Sequence, residues 1–133
     1  MIDKATGSLI LDDGKIVLNT DMSAETFMAT SLYKGGTADN RYSIEEAQEI
    51  NGKDFIITLF LKDGKLKEIH LSEVVKGLSW NNWTEDVEIS KKNSHDHWLL
   101  TVLGNESYHY SWGYVESAFD KKGCVSSIIL RYN

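Results

Sequence analysis

The sequence predicts an α+β domain: a mostly antiparallel sheet built from hairpins, with two helices packed on one face. Three observations lead there. Asp-Gly pairs sit between apolar runs in "LILDDGKIVL" and "FIITLFLKDGKLKEIHL", a strong hairpin signal because both turn residues readily take positive φ. Two segments, opened by Ser23 and Thr84, carry helix-start chemistry. The strands come in adjacent pairs instead of alternating singly with helices, which favours hairpins over parallel crossovers.

Taken in order, the first ribbon turns at Asp13-Gly14 and pairs Leu11 with Ile16, Ile10 with Val17 and Leu9 with Leu18. "SAETFMATSLY" is a short helix with Ser23 as N-cap and Phe27 and Ser31 on one face. "RYSIEEAQEI" is read as a strand from Tyr42 to Ala47. The second ribbon turns at Asp63-Gly64 and pairs Leu61 with Leu66, Thr58 with Ile69 and Ile56 with Leu71, which sets His70 on the face of Ile57 and Leu59. A longer helix starts at Thr84, with Glu85, Asp86 and Glu88 in the first turn, where the helix dipole favours acids; Gly104 stops it. His109 falls in a loop beside Tyr108 and Tyr110. The third ribbon turns between Asp120 and Gly123, and its last strand carries apolar residues on both faces, which marks it as central and covered. The order is ββ-α-β-ββ-α-ββ.

Bulk properties bound the function. A chain of 133 residues, 41% hydrophobic and 26% charged, suits one globular domain, and no linker, charge block or repeat divides it. Proline is absent. No apolar run approaches the roughly 18 residues of a membrane span, and "MIDKATGSLILDD" lacks the basic and apolar regions of a secretory signal. Cys124 has no partner for an internal disulfide, which fits a reducing cytoplasm. A net charge of −6 argues against general affinity for nucleic acid or anionic membranes and favours a basic protein as partner.

"NSHDHWLL", residues 93 to 100, has the composition of a metal or acid–base site. It lies in the second half of the long helix, where each residue advances about 100°. His95 and His97 therefore point about 200° apart and cannot share a metal ion; a zinc helix places its histidines four residues apart. On the wheel Val87, Trp98, Leu99 and Val102 form a stripe that includes His95, while His97 and Asp96 fall outside it. His95 reads as a partly buried, hydrogen-bonded residue and the stretch as a helix face. The remaining histidines, His70 and His109, have no ligand spacing with it, and Cys124 reads as a small buried hydrophobe. Neither a nucleophile elbow nor a phosphate loop occurs, and "YKGG" reads as a turn. No catalytic residue, metal or cofactor is expected.

"SWNNWTEDVEI" has two readings. Trp80 and Trp83 are expected as staples sealing the helix entry. Alternatively, the aromatics and the acids Glu85, Asp86 and Glu88 form an anchor with an acidic rim, suited to binding a protein. Glu45, Glu46 and Glu49 form a second acidic group, read as solvated carboxylates or as further contact residues.

The C-terminal part carries a resemblance. His95-Asp96-x-Trp98-Leu99, Leu103-Gly104, Trp112-Gly113-x-Val115-x-Ser117-x-Phe119-Asp120-x-x-Gly123 and Ser126-Ser127-Ile128-Ile129-x-Arg131-Tyr132 resemble a group of small proteobacterial proteins of unassigned chemistry. About the last 40 residues carry the pattern; the first half adds "TGSLIL" and the second ribbon. Some small acidic proteins of this kind serve as immunity proteins of contact-dependent or other polymorphic toxin systems. The resemblance implies a cytoplasmic inhibitor that covers the active site of a cognate basic toxin domain, such as a nuclease, with no direct role for nucleic acid or membrane. The alternative is a small-ligand-binding or housekeeping protein with a pocket between sheet and helix, weakly enzymatic through His95.

Overall fold

In a computed structural model of the chain, residues 1–11, 14–30, 41–75, 83–105, 107–120 and 125–133 are described. Strands β1 (Leu9–Leu11) and β2 (Ile16–Leu18) form the first ribbon in the expected register, Leu9 to Leu18 and Leu11 to Ile16. Helix α1 (Ala24–Met28) is capped by Ser23, whose hydroxyl accepts from the Thr26 N–H. Then come β3 (Arg41–Ile50), β4 (Lys53–Lys62), β5 (Lys65–Glu73), helix α2 (Glu85–Leu103), β6 (His109–Tyr110), β7 (Gly113–Asp120) and β8 (Val125–Tyr132). The six strands β3 to β8 make one antiparallel sheet in the order β3-β4-β5-β8-β7-β6. The α+β class holds, and β8 is central, between β5 and β7.

Two expectations change. His109 lies in the short edge strand β6, paired with Tyr114, and not in a loop. The second ribbon starts in the expected register, with Leu61 opposite Leu66, but a bulge then adds one residue to β5. Beyond it Thr58 faces His70, Leu59 faces Ile69 and Ile57 faces Leu71. One extra residue moves a side chain to the opposite face, so His70 leaves the face of Ile57 and Leu59 and sits opposite Thr58. Ser31, Tyr33, Trp80, Cys124 and the turn residues Asp13 and Gly123 lie outside the described residues.

One face of the sheet holds the core. Phe55, Ile57, Leu59, Ile69, Leu71, Ile128 and Leu130 are fully buried there. The two ends of this face are covered by different parts of the chain. At the end holding the β4–β5 turn, the N-terminal segment is fastened: Tyr132 Oη donates to Gly7 O at 2.6 Å, Trp112 Nε1 to Lys4 O at 2.7 Å, and Leu66 N to Met22 O at 3.0 Å. Phe27 of α1 packs on Tyr42 of β3, ring centroids 5.2 Å apart. At the other end, α2 is fastened to β8 through Glu88, to β5 through His95 and to β3 through Trp98. Both helices therefore serve one face. Among the described residues, no helix is long and apolar enough to cross a membrane.

Candidate functional site

Helix α2 buries an unusual face. Its C-terminal end is apolar, with Trp98, Leu99 and Leu103 at most 4% exposed, but the turns before it bury Glu88, Lys91 and His95. These polar positions lie on the same stripe as Trp98, because 88, 91, 95 and 98 recur at helical spacing. Burying them costs free energy unless each finds partners. Glu88 Oε1 accepts from Ser126 N at 2.9 Å and Oε2 from the Trp83 indole at 3.0 Å; the Ser126 hydroxyl returns a short bond to Glu88 O. Lys91 Nζ donates to Ser72 Oγ at 2.9 Å and lies 3.4 Å from Glu88. Beside them Lys53 Nζ bridges Glu73 at 3.0 Å and Ser94 Oγ at 2.8 Å.

His95 has no exposed surface. Its Nε2 accepts from the Glu73 N–H at 3.2 Å, which assigns the proton to Nδ1. That Nδ1 is buried without a hydrogen-bond partner among the described residues. Burial is the main cause that pulls the His95 pKa from 6.5 down to about 4; the Glu73 charge opposes it, and Lys91 and Lys53 add to it. At neutral pH the ring is uncharged. Burial works to raise the Glu88 carboxyl, but the Ser126 N–H, the Trp83 indole and Lys91 outweigh it and hold it below the ordinary carboxylate value. Glu73 is likewise lowered, its burial outweighed by Lys53 and Ser94.

The expected acidic cluster divides at this point. Residues 85, 86 and 88 are neighbours in sequence, but at about 100° per residue Asp86 points about 160° away from Glu88, while Glu85 lies one turn before it at the helix start. Glu85 and Asp86 are exposed. Glu88 is 3% exposed and its carboxylate is occupied by Ser126 and Trp83, so it is corrected from partner contact to structural acid. The Trp83 staple joins the residue before the Thr84 cap to the fourth helical residue, where a hydrophobic contact was expected; here it is a hydrogen bond to Glu88. Glu46 and Glu49 are exposed on β3, an edge strand, while the Glu45 side chain is outside the described residues. His97 is exposed, and Asp96 pairs with Lys92 at 3.1 Å on the solvent side.

Alongside the buried network runs an open groove of about 440 Å³ between the end of β5 and the first turns of α2. Val75 and Val87 form apolar wall, and Glu73, Asp86, Ser90, Lys91 and Ser94 complete the lining. Val74 and Val75, just past the end of β5, are 37% and 36% exposed. Sequence reading located the acids, and its alternative placed a pocket between sheet and helix without naming its lining; it missed the network. The available signal was the position of Glu88 and Lys91 on the stripe of Trp98, which polarity disguised. Among the described residues no group of three His, Cys, Asp or Glu is placed to hold a metal ion.

Comparison with known proteins adds no relative: no protein-family model, curated protein or solved structure matches the chain.

Proposed function

We propose that this protein is an immunity-type inhibitor, a binding protein that covers the active site of a cognate basic toxin domain, such as a nuclease. The observation that carries the reading is the groove beside α2, where exposed Val75 adjoins Asp86 and the helix start that also bears Glu85. A small apolar surface rimmed by charge is the anatomy of a protein-binding patch. The net charge of −6 favours a basic partner and would steer its approach. Glu46 and Glu49, on the sheet edge, form a second acidic contact region.

The buried polar groups serve the scaffold in this reading. Glu88, Lys91 and His95 fix where α2 sits on the sheet and so hold Asp86 and Val87 at the groove. The test is association with candidate basic toxin domains, nucleases among them: Asp86→Lys and Glu85→Lys slow association, whereas His97→Ala on the exposed outer helix surface does not.

The groove also favours a second reading, a small-ligand site between sheet and helix. Its volume is within the range of about 300–1,000 Å³ usual for small-molecule sites. A fragment screen by NMR separates the two: ligands saturating at Val75, Val87 and Ser90 without any effect on toxin binding favour this second reading.

A further inference from the structure

The face of the sheet turned away from both helices carries opposite charges at its two ends. Side chains alternate along β4, so Asp54, Ile56, Thr58, Phe60 and Lys62 point away from the core that Phe55, Ile57, Leu59 and Leu61 enter. At one end Asp54 stands directly opposite Glu49 of β3; at the other Lys62 stands opposite Lys65 of β5. All four are exposed, and among the described residues none of their side chains has a hydrogen-bond or ion-pair partner. Like charges directly opposite each other destabilise a sheet, so a single copy leaves both pairs uncompensated. Exposed Arg41, level with Phe60, adds a cation at the basic end, and Asp63 in the β4–β5 turn offsets part of it.

Between these ends the rows differ in bulk. Phe60, Glu68, Arg131 and Tyr114 lie in register across four strands as a row of large side chains. Its charges are settled internally, because Arg131 pairs with Glu68 at 2.9 Å and with Glu116 at 3.0 Å. Thr58, His70, Ile129 and Glu116 form the next row. Beyond it the residues are smaller: Ile56 on β4, 38% exposed, and the pair Ser127 and Ala118 on β8 and β7.

We propose that this face pairs with the same face of a second copy, about a twofold axis that lies across the strands level with Thr58. Rotation about that axis carries each strand antiparallel over its own copy. It brings Asp54 over the second copy's Lys62, Glu49 towards its Arg41 and Ile56 over its Phe60, and each row of large side chains meets the smaller residues of the other copy. Glu116 approaches its own counterpart, but Arg131 already neutralises it. A partner of one charge sign is repelled at one end of the face, whereas a twofold interface needs one patch complementary to itself. Stacked sheets lie about 10 Å apart with strands within about 30° of aligned, which keeps opposed rows in reach. Five strand spacings of about 4.8 Å and about 26 Å from Asp54 to Lys62 give a flat footprint of about 600 Å² per copy, about 1,200 Å² in all, at the lower end for a specific dimer. The dimer is therefore weak, with a dissociation constant in the micromolar range. The proposal does not rest on the inhibitor reading, whose groove lies on the other face. In the dimer Glu49 is withdrawn from other partners, while Glu85 and Asp86 stay open.

The test is sedimentation equilibrium of the full chain from micromolar to millimolar concentration, in low and high salt. A monomer–dimer equilibrium is expected, weaker in high salt. Asp54→Lys and Lys62→Glu each weaken dimerisation at least about tenfold, because like charges then meet across the axis. Both variants keep or raise thermal stability, since each turns a repulsive pair within the sheet into an attractive one. The sharpest arm mixes the two variants. In the mixed dimer both contacts join opposite charges, so association returns to about the wild-type level. A monomer at every concentration in low salt, a dimer indifferent to both variants, or variants that stay monomeric when mixed would overturn the proposal.

Discussion

Replacing Glu88 by alanine should damage the fold far more than replacing its neighbours Glu85 and Asp86. The Glu88 carboxylate is 3% exposed and serves three donors: Ser126 N–H at 2.9 Å, the Trp83 indole at 3.0 Å and Lys91 Nζ at 3.4 Å. Its loss strands a buried ammonium, and breaking a buried pair from one side costs about 3–5 kcal/mol. The two neutral donors, each left short of a partner, cost up to about 1–3 kcal/mol apiece where water cannot reach them. These costs overlap, so Glu88→Ala is expected to lose about 4 kcal/mol in a urea titration. Glu85→Ala and Asp86→Ala, both exposed, should change stability by less than about 0.5 kcal/mol each. The double variant Glu88→Met with Lys91→Met is the control, since replacing both charges by apolar groups is often nearly neutral. It should recover the part of the loss due to the stranded ammonium, while the Ser126 and Trp83 donors stay short of a partner. A Glu88→Ala cost below about 1 kcal/mol, or a double variant as unstable as the single one, would refute the buried network.

Other consequences follow from the same structure. Trp98, 4% exposed and bonded through its indole to Ile50 O at 3.2 Å, should cost about 3–5 kcal/mol when changed to alanine, measured by chemical denaturation. The His95 pKa is lowered in the fold from 6.5 to about 4, so the unfolded chain binds the extra proton between those values. Stability therefore falls as pH drops from about 6.5 towards 4, by up to about 3 kcal/mol, and His95→Gln should flatten the profile in that window. The lowered Glu73 and Glu88 carboxyls act below their ordinary value of 4.5, a more acidic window that His95→Gln leaves intact. Gly113→Ala should prevent folding or severely destabilise it, because φ is +151° and a Cβ there would meet Arg131 O at 1.9 Å; thermal melts check this.

The hairpins were legible because turn chemistry sets register. In the first ribbon the Asp13-Gly14 signal leads to the observed pairs. In the second, Asp63 and Gly64 both take positive φ, +54° and +79°, as the turn requires. A third such turn, Asn51-Gly52 with φ of +49° and +85°, joins β3 to β4. The Asn-Gly pair is a hairpin signal of the same kind, but the strand before it, with Glu45, Glu46 and Ala47 in a row, alternates too weakly to mark the ribbon. The bulge in β5 also left a trace. The buried residues of β4 fall at every second position, 55, 57, 59 and 61, whereas the apolar residues of β5 fall at 66, 69 and 71; the odd step from Leu66 to Ile69 marks the extra residue and moves His70.

The α2 site was only half legible. Thr84 and Gly104 bound the helix as expected, and helical spacing placed Trp98 and Leu99 inward. The same spacing places Glu88 and Lys91 inward, but charge suggests solvent until partners are known. Those partners, Ser126 and Ser72, are 38 and 19 residues away. The groove depends on the docking of α2 beside the end of β5, which no local pattern encodes.

The most direct test of the inhibitor reading is association kinetics between this protein and candidate basic toxin domains, nucleases among them, measured in low and high salt. Wild type should bind rapidly and protect cells that express the toxin. Raising salt should slow association by screening the acidic surface. The Glu85→Lys and Asp86→Lys variant should remain folded yet associate more slowly. Absence of binding and protection, or association indifferent to both salt and charge reversal, would contradict the account.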